Sequence, residues 1–241
     1  MTLQNKNVLI TGAYGGLGKS ISEEFLLSGN NVVLVGKNWE KLLELRVELE
    51  EKNKHRCNIS SYVCDLNDDK SIYAMINSVK EDCKTIDVLV NCAGTFPISQ
   101  LREMSLYEYR QCMKVNMEAP FILTQEFTKE MARQKWGRVI NIASSSAYGG
   151  GAKTSVYCAS KHALLGFSRS LFKELKDDGI RVFCISPGSI QTEMGKEVEK
   201  LGQIYDTFMT PEEVAQYILH VASYDGQMVS EEVRLNRVHV Q

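Results

Sequence analysis

The chain has 241 residues, of which 44% are hydrophobic and 24% are charged, and its formal net charge is −2. This composition is typical of one globular domain with a buried core. The absence of a basic surplus argues against nucleic acid or a membrane surface as a partner. Because no apolar run reaches the roughly 18–20 residues of a membrane helix, and the N-terminus has no signal-peptide pattern, we expect a cytoplasmic protein.

The cysteines and histidines show no pattern typical of a metal site or of disulfide pairing. The seven cysteines are an odd number, contain no Cys-x-x-Cys pair and match no zinc-module spacing. The four histidines are scattered, without a cysteine or carboxylate at ligand spacing. We therefore expect free, mostly buried thiols in a reducing compartment, and no metal.

Short apolar runs alternate with longer amphipathic segments along the chain. The runs are NVLIT, NVVLVG, SSYVCD, DVLVN, RVINIAS and IRVFCIS. Their Val and Ile content, without polar alternation, indicates strands buried on both faces of a parallel sheet. Helices are predicted at about 16–28, 39–54, 69–82, 105–112, 118–134 and 155–177, and a last one starts at a Thr210/Glu213 capping box. This β-α-β-α order predicts a doubly wound α/β sheet of the Rossmann type, forming a single domain over residues 1–241.

The first strand is followed at once by the glycine-rich stretch TGAYGGLG, residues 11–18. At this place in a doubly wound sheet, Gly12 would allow a tight turn, Gly16 would let backbone approach a pyrophosphate, and Gly18 would let the helix pack on the strand. The helix dipole and the free N–H groups of the first turn would hold the phosphate charge. Glycines also occur in plain turns, but the position directly after the first strand favours nucleotide binding.

The segment YCASK contains a candidate acid/base pair. Tyr157 and Lys161 are four residues apart and therefore share one face of a helix. A nearby ammonium favours the phenolate, whereas burial of the phenol acts in the opposite direction. If the lysine outweighs burial, the pKa of Tyr157 falls from about 10 to about 7–8, where it can exchange protons at neutral pH.

Six short motifs occur in a recognisable order. They are TGAYGGLG, NCAG (91–94), Asn116 in KVNMEAPF, Ser144 in INIASSSA, YCASK (157–161) and PGSIQT (187–192). Over about residues 5–224 the chain resembles a short-chain dehydrogenase/reductase of the "classical" type. The resemblance implies that Tyr157 is the acid/base and that Ser144 orients the substrate oxygen, with Ser145 and Ser146 as adjacent alternatives. It also implies that Lys161 assists Tyr157 and holds the nicotinamide ribose, and that Asn116 orders a relay water.

The end of the second strand bears on the choice of cofactor. An NAD site usually places a carboxylate there to bind the ribose 2′-OH, but this strand ends at Gly36 and is followed by Lys37. An ammonium suits a 2′-phosphate, so we expect NADP(H), with NAD(H) possible. The alternative is that Lys37 is only a solvated lysine at the end of a strand.

The resemblance places Asp65 against the adenine and Thr192 against the carboxamide, although either could simply cap a helix. The predicted cofactor residues are Gly12, Tyr14, Gly16, Leu17, Gly18, Lys37, Asp65, Leu66, Asn91, Ala93, Gly94, Tyr157, Lys161, Pro187, Gly188, Ile190 and Thr192.

The expected reaction moves a hydride between the nicotinamide and a small-molecule carbonyl or secondary alcohol, for which a 3-oxoacyl thioester or similar ketone is our first candidate. A nucleotide-sensing protein without catalysis is the alternative. Residues 193–209 occupy the substrate-lid position, and we expect Phe96, Tyr148 and 149–151 to line the same pocket. Many relatives form tetramers through a final strand and a glycine-rich stretch, whereas this chain ends EEVRLNRVHVQ. We expect a homodimer through two apolar helices, 118–134 and the helix after Tyr157, with a homotetramer as the alternative.

Overall fold

A single parallel sheet organises the part of the chain that the computed structural model describes, residues 3–238. Its strands are β1 (Asn7–Thr11), β2 (Asn31–Gly36), β3 (Ile59–Val63), β4 (Val88–Asn91), β5 (Gly137–Ile142), β6 (Ile180–Pro187) and β7 (Glu232–Leu235). They lie in the order β3-β2-β1-β4-β5-β6-β7. This confirms the predicted doubly wound α/β fold of one domain. The strand order reverses between β1 and β4, which is where ligands bind in open sheets of this kind.

Helices cover both faces of the sheet. They are α1 (Gly16–Leu27), α2 (Trp39–Lys52), α3 (Asp69–Cys83), α4 (Leu106–Met113), α5 (Ala119–Gln134), α6 (Ser155–Leu175), α7 (Glu193–Glu199) and α8 (Pro211–Ser223). Helices α1, α2 and α8 pack on one face, and α3, α5 and α6 pack on the other. In β1, Val8 and Ile10 belong to the first core and Leu9 to the second, because successive side chains point to opposite faces. This explains the apolar runs without polar alternation.

The helix termini follow local signals in the sequence. Asn38 and Asp68 cap α2 and α3 with their side chains. The capping box predicted before α8 is present: the Thr210 hydroxyl accepts from the Glu213 N–H at 3.2 Å, and the Glu213 carboxylate accepts from the Thr210 N–H at 3.0 Å. Predicted and observed helix ends differ by only one or two residues, with short 3₁₀ or π turns at several of them.

The tail EEVRLNRVHVQ, in which our sequence analysis identified no strand, contributes β7 to the sheet. It pairs in parallel with β6, with Cys184 opposite Glu232. Only Val233 of this strand is buried, so the run lacks the apolar pattern that marks the inner strands. Side-chain contacts anchor it instead, since the Glu232 carboxylate accepts from the Arg169 guanidinium at 2.7 and 2.9 Å. The last residues of the tail, 239–241, lie outside the described part.

All seven cysteines are free, and four of them are buried. Within residues 3–238, no group of three or more His, Cys, Asp or Glu side chains could hold a metal ion. The helices of this part of the chain are all too short or too polar to cross a membrane.

Candidate active site

A cleft of about 1160 Å³ opens at the carboxyl ends of the strands. It runs from the ends of β2 and β3, past the reversal between β1 and β4, to the ends of β5 and β6. Its lining includes nearly every residue that sequence reasoning assigned to the site: Gly12, Tyr14, Gly16, Leu17, Gly18, Lys37, Asp65, Leu66, Ala93, Gly94, Ser144, Tyr157, Lys161, Pro187, Gly188, Ile190 and Thr192.

Two backbone segments meet very closely in the middle of the cleft. The Thr11 hydroxyl oxygen accepts from the N–H groups of Cys92 and Ala93 at 3.0 and 3.1 Å. Gly12 has φ +66°, and a Cβ atom there would lie 2.9 Å from the Ala93 Cα. Only glycine satisfies both the turn and this contact. The loops after β1 and β4 are therefore held side by side.

The N-terminus of α1 faces the cleft without a side-chain cap. Its N-cap is Gly15, which has no side chain that could cap the helix, and the first turn contains no acidic residue. A Cβ atom at Gly16 would lie 2.6 Å from the Thr192 Cγ2, so this backbone is bare and closely approached. An uncapped helix start with exposed backbone N–H groups is suited to a phosphate group. The residues present therefore fit a dinucleotide.

The ends of β2 and β3 form the opposite end of the cleft. The Tyr14 ring lies directly over Gly36, where a Cβ atom would come within 2.5 Å of the Tyr14 Cε1. A carboxylate side chain cannot stand at position 36 without displacing this ring. Two lysines line the cleft here, Lys37 and Lys41, and the Lys41 ammonium lies 5.8 Å from the centre of the Tyr14 ring.

Lys41 is a cleft residue that our sequence reasoning missed. The available signal is its position in the first turn of α2, four residues after Lys37 and five residues after the end of β2. Asp65 and Thr192 also line the cleft. The Asp65 carboxylate accepts from the Asn67 N–H at 2.9 Å, and Asp68 rather than Asp65 caps α3. Thr192 caps α7, so its capping role and its place in the cleft coexist.

Tyr157 lies on the cleft wall with its phenol almost completely buried. Burial raises the pKa of Tyr157 to about 12, and a hydrogen bond with Ser144 acts in the opposite direction. The Phe96 ring packs edge-on against the Tyr157 ring, with centroids 4.6 Å apart. The expected lowering of this pKa is therefore wrong for the protein on its own, because burial dominates. At neutral pH the phenol is protonated and can donate a proton.

The ammonium of Lys161 lies one helical turn further along α6. It donates to the Ile142 carbonyl oxygen at 2.7 Å and is 5.8 Å from the centre of the Tyr157 ring. Burial lowers the pKa of Lys161 to about 8. Near pH 7 the group still carries its charge, held between the end of β5 and the tyrosine.

Asn116 lies behind the cleft wall rather than on it. Its Oδ1 accepts from the Thr95 N–H at 2.8 Å, and its Nδ2 donates to the Thr95 carbonyl at 3.0 Å and to the Ser160 Oγ at 2.9 Å. It sits in a π-helical turn, Lys114–Glu118, between α4 and α5. Such turns interrupt α-helices frequently at functional sites.

Two further predicted positions lie away from the cleft. Asn91 is buried at the end of β4, where its Nδ2 donates to the Asn141 Oδ1 at 2.8 Å. Tyr148 was expected to line the substrate pocket, but its hydroxyl donates to the Glu232 carboxylate of β7 at 2.9 Å. By contrast, Phe96 and residues 149–151 do line the cleft.

Known proteins match both the sequence and the fold of this chain. The family model for short chain dehydrogenase matches residues 6–201. The chain belongs to the short-chain dehydrogenase family. It is therefore an oxidoreductase acting on CH–OH or C=O groups, as its relatives' names also indicate.

The relatives of this short-chain dehydrogenase differ in their named substrates. A 3-oxoacyl-(acyl-carrier-protein) reductase of Aquifex aeolicus is 31% identical over 238 residues, covering 96% of this chain and 95% of that protein. A D-threitol dehydrogenase of Mycolicibacterium smegmatis is 30% identical, covering 95% and 90%. The L-sorbose reductase of Gluconobacter frateurii, solved with NADPH and L-sorbose, is 26% identical with a TM-score of 0.89, covering 98% and 97%. A metagenomic short-chain oxidoreductase solved with NADP is 28% identical with a TM-score of 0.84, covering 98% and 100%.

The buried lysine of this dehydrogenase should make stability depend on pH. The folded-state pKa of Lys161, about 8, lies below its ordinary value of 10.5. Above pH 8 the folded state releases this proton while the unfolded state retains it, so folding becomes more favourable as pH rises. The free energy of unfolding of the wild type, relative to Lys161→Met, should increase by about 2 kcal/mol between about pH 7 and about pH 9.5.

Urea unfolding of both proteins at the two pH values, without added nucleotide, measures this difference. Lys173→Met, which removes an exposed lysine of the same helix, is the matched control and should show no such change. If the difference in the free energy of unfolding between the wild type and Lys161→Met stays constant with pH, a buried charge at Lys161 is contradicted.

Proposed function

We propose that this protein reduces a carbonyl group to a secondary alcohol with NADPH, and that a 3-oxoacyl thioester or a similar ketone is its substrate class. The observation that carries the proposal is the buried Tyr157 phenol in the same cleft as the uncapped helix start that follows the glycine-rich loop. The 3-oxoacyl reductase among the relatives supports the substrate class.

Proton transfer in the proposed reaction belongs to Tyr157. Bound NADPH would supply the hydride that the substrate carbon receives. The Tyr157 hydroxyl gives its proton to the substrate oxygen as charge develops there, so that C=O becomes CH–OH and the tyrosine becomes a phenolate. Ser144 donates a hydrogen bond to the same oxygen and holds it near the phenol.

Lys161 assists this transfer electrostatically. Because the Lys161 side chain is buried and little water surrounds it, its charge is weakly screened and stabilises the phenolate that forms after proton transfer. We propose that it also contacts the nicotinamide ribose. Asn116 would act indirectly, from a position behind the cleft wall. Its side chain bonds both Thr95, which lines the cleft, and Ser160, which precedes Lys161 in α6, and so holds these two residues in place. The relay water predicted at Asn116 stays a prediction.

We propose that the cofactor preference for NADPH comes from the β2 end of the cleft. Lys37 and Lys41 offer two ammonium groups there, and the Tyr14 ring over Gly36 leaves no room for the carboxylate typical of NAD sites. The remaining predicted cofactor residues would hold the dinucleotide along the cleft, except that Asn91 would act only by supporting the sheet. The structures solved with NADP and NADPH support this choice.

Tyr157→Phe should reduce NADPH-dependent turnover by about a thousandfold, because it removes the general acid. It should leave NADPH binding unchanged, because the ring and its contact with Phe96 remain. NADPH consumption is measured against 3-oxoacyl thioesters, small keto acids, quinones and sugar ketones. Binding is measured by nucleotide fluorescence.

Tyr148→Phe is the matched control, since its hydroxyl bonds Glu232 outside the cleft. Turnover retained in Tyr157→Phe would contradict the mechanism. NADPH binding by the wild type without turnover of any substrate would favour the nucleotide-sensing alternative.

Lys37→Ala and Lys41→Ala should each raise the KM for NADPH by about tenfold, because each removes a charge-assisted contact to the 2′-phosphate. The KM for NADH should stay nearly constant. Lys19→Ala, which removes a lysine that pairs with Glu48 outside the cleft, is the control. Equal effects on both nucleotides would contradict a 2′-phosphate site at this end.

We propose a homodimer through the outer faces of α5 and α6. Phe121 on α5 is 42% exposed, and its ring lies 6.1 Å from that of Phe167 on α6. Phe121→Glu should convert a dimer into a monomer in light scattering, since it places a charge in an apolar interface. Tyr73→Glu, at an equally exposed aromatic residue of α3, should leave the dimer intact. A light-scattering mass of Phe121→Glu that still equals that of a dimer would contradict this interface.

A further inference from the structure

The tail after β7 returns to the lid segment, residues 193–209. The Arg237 guanidinium donates to the Gln203 Oε1 at 3.0 Å and to the Thr207 Oγ1 at 2.7 Å. It also lies 5.1 Å from the centre of the buried Phe208 ring. A planar, rotamer-rich side chain held at three points is well ordered. Arg237 therefore fixes one side of the lid segment.

The same contacts determine which way the Gln203 amide points. Arginine can only donate hydrogen bonds, so the atom that faces Arg237 must be the amide oxygen. The Ser189 hydroxyl donates to that same oxygen at 2.8 Å. With the oxygen occupied twice, the NH₂ group lies on the other arm of the amide. Among residues 3–238 this NH₂ group has no hydrogen-bond partner. Gln203 is exposed to solvent and lines the cleft, so a ligand in the cleft can replace water at this group.

The position of Gln203 along the cleft identifies what its NH₂ group can meet. Ser189 follows the end of β6, next to the β5 end that holds Ser144. Lys37 and Asp65 stand at the opposite end, at β2 and β3. Gln203 is therefore on the side of Tyr157 and the lid segment, where a substrate enters, and not on the side of the two lysines.

We propose that Gln203 is a specificity-determining residue that donates a hydrogen bond to a second oxygen of the substrate, and that Arg237 is the residue that positions it. Resting on the proposed carbonyl reduction, this names the substrate class more closely. The substrate carries an acceptor oxygen near the reacting carbonyl, as in a 3-oxo ester or thioester. A ketone without that oxygen forgoes this hydrogen bond and leaves the exposed NH₂ group to water, so the expected preference is the net contribution of one hydrogen bond.

Two probes of equal length isolate this oxygen. Ethyl acetoacetate and methyl pentyl ketone differ only where the ester C=O and O are replaced by CH₂ groups. Dissociation constants for both are measured by ligand-observed NMR on the full chain with NADP⁺. KM and kcat with NADPH are measured in parallel. The wild type should prefer ethyl acetoacetate by about fivefold or more.

Gln203→Met, similar in length but without an amide, should lose this preference and raise the KM for ethyl acetoacetate while kcat changes little. Arg237→Met should produce the same pattern more weakly, and Arg237→Lys, which keeps one donor, should restore part of it. Arg234→Met is the matched control, because that arginine lies in β7, three residues before Arg237, and packs on the Tyr148 ring instead of the lid segment. It should behave as the wild type.

The outcomes separate this inference from the proposed function. A binding preference that Gln203→Met abolishes supports the inference even if neither probe is reduced, and the lack of turnover then counts only against the proposed reduction. Equal binding of the two probes by the wild type overturns the inference. A preference that persists in Gln203→Met also overturns it. An effect of Gln203→Met without any effect of Arg237→Met overturns the positioning role.

Discussion

The Thr11 hydroxyl joins the two strands at which the sheet order reverses. By accepting from two N–H groups of the loop after β4, it holds that loop against the turn at Gly12. The left-handed φ of Gly12 and its contact with Ala93 then direct the chain into α1, whose uncapped start faces the cleft. The rest of the candidate site is arranged around this junction, because it fixes where the uncapped start of α1 and the β4 end lie relative to each other.

Burial shifts the pKa values of the two titratable side chains on the cleft wall, Tyr157 and Lys161. The same dry surroundings raise the pKa of Tyr157 and lower that of Lys161, since a charge of either sign is disfavoured there. The result is a protonated phenol beside an ammonium that holds its proton only to about pH 8. In the proposed reduction this phenol would give its proton to the substrate oxygen, and because its raised pKa makes it a weaker acid, the nearby ammonium would have to stabilise the phenolate that forms. The edge-on Phe96 ring helps to exclude water from the phenol.

Local patterns predicted most of the fold and much of the site. The strand runs, the helix positions and the Thr210 capping box all follow from residues close together in the sequence. Departures occur where distant segments meet. Asn91 points into the sheet toward Asn141, and Tyr148 reaches Glu232, 84 residues away. Strand β7 was missed because its side-chain contacts, rather than an apolar run, anchor it.

The sequence by itself determined that a glycine-rich loop follows the first strand and that Tyr157 and Lys161 share one helix face. It also placed a lysine after β2. These properties depend on spacing along the chain, which local backbone geometry converts directly into structure. Only the tertiary structure decided the pKa of Tyr157 and the orientation of the Gln203 amide by Arg237. Burial and hydrogen bonding between remote segments are set by packing, so they cannot be inferred from spacing alone.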